Sequence, residues 1–333
     1  MKLKTFAFKK FSFKNFLFLS LILFLMLSLV LFPDRYIKCC VKGLNIWALT
    51  VLPSLLPFFF LTSLLTQTNT ITKLSLKFNK VTSFLFRSNG LSMYAFFMSI
   101  ISGYPVGSRI CYDLYNNNLI SKGEASRISL LSSTSGPLFV IGAVGINMFN
   151  NKMYGVVIYI SHVLSAIFTA LIFRNYGDKP QPLSYTTKKT TTNNILYDCM
   201  YSSVTSSIIV GGFISIFYVI SQIFYDFKLL SPLTAIFSFV LSPFNLPKST
   251  ASALSIGIIE CTSGCLQLSS ISNSVVNCAL SSALISFGGI SIIMQSLAYL
   301  TKIGVKPLFF ITGKLIQTTL SFLISLVVFL VFI

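Results

Sequence analysis

The chain has 333 residues, of which 54% are hydrophobic and only 10% charged, and its mean hydropathy is +0.82. Soluble domains carry about 25% charged residues, so there are too few polar side chains here to clothe a water-facing surface; lipid is the expected solvent. The 25 Lys and Arg against 7 Asp and Glu leave a formal charge of +18. Because the basic residues fall in short segments between apolar runs, they read as positive-inside bias and attraction to anionic lipid, not as a nucleic-acid surface.

In chain order, residues 1–14 hold five Lys and no acid, and an apolar run follows from Phe16 to Phe32. Pro33-Asp34-Arg35 follows it in place of a small-residue cleavage site, which predicts an uncleaved first span with a cytoplasmic N-terminus. Leu44–Leu65 contains Pro53 and Pro57 and predicts a kinked span. Residues 66–90 carry Lys73, Lys77, Lys80 and Arg87 without an acid, as a cytoplasmic loop should. The apolar stretch from Leu91 to Ile101 is too short to cross a core of about 30 Å and runs into Ser-Gly-Tyr-Pro-Val-Gly-Ser-Arg at 102–109. Residues 91–112 are therefore predicted to form a re-entrant hairpin, with half-helices meeting at the Gly-Pro break.

A span from Ile128 to Phe149 is interrupted by Ser135-Gly136-Pro137, and another runs from Tyr154 to Phe173. The polar stretch 174–195 then divides the chain. Beyond it, Asp198–Tyr225 contains a span, and Leu229–Phe244 is short enough that crossing stays open. Ala251–Leu268 is a second short apolar stretch, expected to break near Gly264. Val275–Leu300 contains Gly288-Gly289, and Leu308–Ile333 is a final span. The predicted fold is an all-α membrane bundle of about seven to nine spans. Residues 1–43 form a basic segment and first span, 44–175 a first repeat, 176–196 a cytoplasmic linker and 197–333 a second repeat. Interrupted segments at matching places in two halves are the sequence mark of a transporter site; if Leu229–Phe244 does not fully cross, the second hairpin enters from the outside and the repeat is inverted, with Lys302 and Lys306 in the cytoplasm as the charge rule asks.

Broken helices at membrane depth must be buried in protein or line a wet cavity, because unpaired backbone groups are not tolerated in hydrocarbon. Candidate substrate-binding residues are accordingly those at the breaks. The first contributes Ser102, Gly103, Tyr104, Pro105, Gly107, Ser108 and Arg109; glycine permits close backbone approach, and a guanidinium suits a carboxylate. Ser135 and Gly136 belong to the second, Glu260 and Gly264 to the third, and Gly288, Gly289 and Gln295 to the fourth. Lys314 stands alone in the last apolar run. An ionisable residue at depth is costly and marks function or a specific partner; Glu260 could bind a coupling ion or pair with Arg109 or Lys314. The bland readings are a structural kink, snorkelling for Arg109 and Lys314, and tight packing for the small residues.

His162 is the single histidine and is expected to be a satisfied interior group. The seven cysteines show no CxxC or zinc spacing, so no metal and no cofactor is implied. The inventory offers no Ser-His-Asp set, P-loop or dinucleotide fingerprint, and an enzyme is not expected.

Gly-Tyr-Pro-Val-Gly-Ser-Arg at 103–109, Ser-Gly-Pro-Leu-Phe-Val-Ile-Gly-Ala-Val-Gly at 135–145 and the Gly-Gly…Gln element at 288–300 resemble the YlbJ (SpoVV) sporulation integral membrane proteins. These are part of the wider group with nucleoside-recognition or gate domains, and the resemblance covers about residues 45–330. It implies a role in endospore formation, residence in the outer forespore membrane, and transport of dipicolinic acid, a small planar dianion. The alternatives are a nucleoside or nucleobase carrier and a non-transporting scaffold of a spore-membrane complex. Expected partners are lipid and a small anionic substrate; nucleic acid is not expected, and self-association or contact with other spore-membrane proteins stays open.

Overall fold

The computed structural model describes residues 13–67, 73, 76–180, 194–271 and 275–332. The basic segment 1–12 and the central part of the linker, 181–193, lie outside the described residues. Every regular element among them is helical.

Helix α1 (Phe13–Leu31) is followed by α2 (Pro33–Asn45), bent from it by 105°. Pro33 opens α2, where its missing N–H costs nothing. Helix α2 is tied down by the Arg35–Asp226 ion pair and by Tyr36 Oη, which donates to Asp226 at 3.3 Å. The predicted kink before Pro53 appears as a π-helical turn, Ile46–Val51, leading into α3 (Leu52–Gln67). A widened turn accommodates the proline ring against the carbonyl four residues earlier. The short α4 (Asn79–Phe86) lies in the stretch read as a loop.

Helices α5 (Leu91–Ser102) and α6 (Val106–Asn116) meet at Gly103-Tyr104-Pro105, as the composition predicted. Helix α7 (Lys122–Leu131) starts with a capping box between Ser121 and Glu124. It ends before an extended stretch at 133–136, after which a π-helical segment, Leu138–Met148, continues the chain. Arg127 on α7 is buried but donates to the carbonyls of Tyr176 (2.5 Å), Asp178 (3.0 Å) and Arg87 (2.6 Å), which fixes the loop ends around it. Helix α8 spans Lys152–Ile172 and α9 spans Ile195–Asp226. Then come the short α10 (Ser231–Val240), α11 (Lys248–Ile259), α12 (Cys261–Ile271), α13 (Val275–Phe287), α14 (Gly289–Leu300) and α15 (Pro307–Phe332).

Four stretches are long and apolar enough to cross a membrane: Lys152–Ile172, Ile195–Asp226, Val275–Ile303 and Pro307–Val331; a fifth is the bent pair α1–α2. The apolar helices α5, Leu138–Met148 and α10 have 10–12 residues. At 1.5 Å per residue they reach about 15–18 Å, roughly half a hydrocarbon core. The expected seven to nine spans are thus not matched: among the described residues four stretches, or five with the bent pair, are long and apolar enough, and α10 is too short to cross singly.

One expectation is corrected. The second hairpin breaks at Glu260, not at Gly264. Glu260 is extended (φ −139°, ψ 109°) and its carboxylate accepts from Thr262 N (3.0 Å), Ser263 N (2.7 Å) and Ser263 Oγ (2.6 Å), capping α12. Gly264 sits one turn inside α12, against Gly257 of α11, where a side chain would collide with backbone. It sets the close approach of the two arms.

Helices α8, α13 and α15 pack together at the centre, with Ser282 and Ser321 hydroxyls 2.7 Å apart. The hairpins pack crosswise on this centre: α6 lies on α14, and α12 on the 138–148 segment.

Candidate functional site

Four interruptions reach one internal cavity of about 50 Å³. Ser102, Gly103 and Tyr104 line it from the first, Ser135 and Gly136 from the second, Glu260 and Thr262 from the third. Ser291 and Gln295 of α14 complete it just beyond the fourth. These segments are far apart in sequence. They meet because each break packs on another through atoms without side chains. Gly103 adopts φ +81°, ψ −170° and faces Gly136, so a Cβ there would stand 2.6 Å from Gly136 N. Gly289, at φ +69°, faces the Glu260 break: a Cβ would stand 3.1 Å from Cys261 N and Ile259 O. The second of these conformations belongs to the left-handed side of φ, and the first is essentially reserved for glycine.

Lys314 of α15, 1% exposed, does not line the cavity but reaches Tyr104 in its wall. Its Nζ donates to Tyr104 Oη (2.9 Å), Gln317 Oε1 (2.8 Å) and Ser133 O (3.4 Å). Three acceptors match the three N–H bonds of an ammonium group. Lys314 forms no ion pair among the described residues, so the expected partnership with Glu260 is not seen. Glu260 instead spends its oxygens on the start of α12. Tyr104 Oη in turn donates to Ile285 O at 3.3 Å, linking the first break to α13.

His162 of α8 joins the second and fourth interruptions. Ser135 N donates to its Nε2 (2.8 Å), so Nδ1 carries the hydrogen and donates to Ser286 Oγ at 2.7 Å. It is fully buried with both nitrogens used, as a satisfied interior histidine. Ser102 Oγ and Ser291 Oγ are different: both residues are 1% exposed, both line the cavity, and neither hydroxyl has a hydrogen-bond partner.

The other singled-out residues lie elsewhere. Arg109 is exposed, on a separate vestibule of about 280 Å³, where it donates to Ser202 Oγ at 3.3 Å. Gly107 packs on the Ser132 carbonyl and Gly264 on Gly257; Ser108 is buried on α6. Pro105 completes the turn beside Tyr104, and Gly288 (φ +84°) opens α14. Sequence reasoning missed Thr262, Ser291 and the Lys314–Gln317 pair. Of these only Lys314–Gln317 carried a signal, two polar residues three apart on one face of an apolar helix.

Against curated proteins, the chain is 28% identical over 320 residues to the sporulation integral membrane protein YlbJ of Bacillus subtilis (strain 168). The match covers 90% of this chain and 78% of that protein. The chain is similar to YlbJ along most of its length. It is an integral membrane protein of the kind found in sporulating bacteria. No family model and no solved structure matches it.

Proposed function

We propose that this protein carries a small polar anion across a membrane of the developing spore, with dipicolinate as the cargo and the outer forespore membrane as its place. The observation that carries this reading is the buried Lys314 amine, without a carboxylate partner among the described residues and hydrogen-bonded to Tyr104 of the first break, beside a cavity into which the Ser102 and Ser291 hydroxyls bring unused hydrogen-bonding capacity. Once protonated, this amine has only neutral partners, so an incoming anion supplies the countercharge that its desolvation lacks. Glu260 makes no ion pair with Lys314 among the described residues; its carboxylate oxygens accept from Thr262 N and Ser263 N at the start of α12.

The two halves present the same order of parts: a hairpin, an interrupted helix, and a long central helix, α8 or α15. Their crosswise packing supports an inverted repeat with the site at its centre. The positive-inside rule puts the N-terminus and the 66–90 and 176–196 segments in the cytoplasm. A cavity of about 50 Å³ is small for a ring-sized dianion, so in this reading the breaks part to admit it.

The test is uptake into liposomes holding the purified protein, with labelled dipicolinate, a labelled nucleoside, and an imposed gradient present or absent. Saturable dipicolinate uptake that excess nucleoside does not compete supports the reading. Nucleoside uptake in its place moves the cargo to the neutral class, and no uptake of either leaves a scaffold.

A further inference from the structure

The cavity has a larger space on each side of it, and α9 runs past all three. The vestibule holding Arg109 touches α9 at Asp198, Ser202 and Ser206; the cavity touches it at Val210 and Ile214. A third space, of about 610 Å³, touches it at Gln222 and Tyr225. With a rise of 1.5 Å per residue, the cavity lies about 15 Å along α9 from each of the outer spaces. The whole row covers about 30 Å, the thickness of a hydrocarbon core. Successive lining residues advance by steps slightly longer than a turn, so the row winds around α9 instead of following one face.

The helices beside the row repeat one pattern. On α3, Leu55 lines the cavity, Phe59 follows one turn away, and Ser63 lines the Arg109 vestibule. On α5 the same steps are Ser102, Met98 and Tyr94. On the other side, α11 gives Glu260, Ile256 and Ser252, and α12 gives Thr262, Leu266 and Ser270. Each triple is spaced four residues apart, hence on one helix face, except that Glu260 is extended and stands just past the end of α11. The middle member is always a large apolar residue, and Phe59, Met98 and Ile256 are 4%, 3% and 3% exposed. Hairpin α5–α6 thus lines one outer space and hairpin α11–α12 the other, while both tips touch the cavity.

Building on the carrier reading, we infer that these spaces form one passage with two apolar collars. Phe59 and Met98 close the cavity toward the Arg109 vestibule, and Ile256 and Leu266 close it toward the Gln222 vestibule. A small polar solute passes by the opening of one collar at a time, each moved by its own hairpin. Hydrophobic constrictions of this kind block polar solutes without a plug, because a narrow apolar neck excludes water.

The experiment is side-specific thiol labelling with a membrane-impermeant maleimide, on inside-out and right-side-out membrane vesicles, read at each site by peptide mass spectrometry so that the native cysteines do not interfere. S202C is expected to react from one face only and S252C only from the opposite face. S291C, inside the cavity, is expected to react slowly from both. F59A and, independently, M98A should raise the S291C rate about tenfold from the S202C face alone, as expected when a minor open state becomes common. I256A should do so from the S252C face. Reaction of S202C and S252C from the same face overturns the passage. So does an S291C rate unchanged by both F59A and M98A in protein whose S202C still labels normally. Labelling needs no substrate, so this outcome is separate from that of the uptake assay: the expected labelling without uptake leaves the passage standing and removes the carrier.

Discussion

Replacing Gly103 by alanine strikes the contact on which the site's assembly rests. The backbone at Gly103 (φ +81°, ψ −170°) lies in a region essentially reserved for glycine, and forcing another residue into it costs about 1–3 kcal/mol. The new Cβ would stand 2.6 Å from Gly136 N. That neighbour is backbone of the second break and cannot swing aside, so a further overpacking cost of about 1–3 kcal/mol follows. The expected loss for G103A is about 2–6 kcal/mol, the sum of these two contributions. G142A is the control, since nothing lies within 4 Å of a Cβ at Gly142; the better helix propensity of alanine makes it neutral or stabilising by up to about 1 kcal/mol. Reversible unfolding in mixed detergent micelles, followed by circular dichroism, measures both. A G103A protein within about 0.5 kcal/mol of the parent, the range of ordinary surface substitutions, would refute the close apposition of the two breaks.

Three further perturbations follow. H162L leaves the Ser135 N–H buried without an acceptor and should cost about 1–3 kcal/mol; a double-mutant cycle with S286A should show coupling of about 0.5–1.5 kcal/mol, and strictly additive losses would contradict the bridge. E260Q turns an amide N–H₂ toward one of the two backbone N–H groups it now accepts. It should destabilise by about 1–3 kcal/mol and speed hydrogen exchange at Thr262 and Ser263; unchanged exchange there would show that the cap is not what starts α12. R127M removes a buried group serving three carbonyls and is expected to cost about 3 kcal/mol or more in the same unfolding assay, with a loss under about 1 kcal/mol counting against it.

The breaks were legible because their chemistry is local. The proline of Gly103-Tyr104-Pro105 disfavours a continuous helix and Gly288-Gly289 readily allows a break, and the structure interrupts the chain at both. Ser135-Gly136-Pro137 was equally plain. The third break was misplaced by a turn because Gly264 is the obvious helix breaker, whereas the actual interruption depends on a carboxylate folding back onto the next helix. A glycine inside a helix then serves packing, which only the neighbouring helix reveals. Arg109 was grouped with the first break by adjacency, but the first turn of α6 carries it out to a vestibule. The convergence of Tyr104, Ser133 and Lys314 joins residues about 180–210 apart in sequence, and no periodicity within a single helix can report that.

The most direct measurement is flux through the purified protein with and without its buried lysine amine: dipicolinate uptake into liposomes by the parent chain and by K314M, with folding of both checked by circular dichroism and by monodisperse elution. The expected result is saturable uptake by the parent and a loss of tenfold or more, about 1.4 kcal/mol or greater, in folded K314M. Equal uptake by the two proteins would contradict a carrier whose cavity recognises an anion through Lys314.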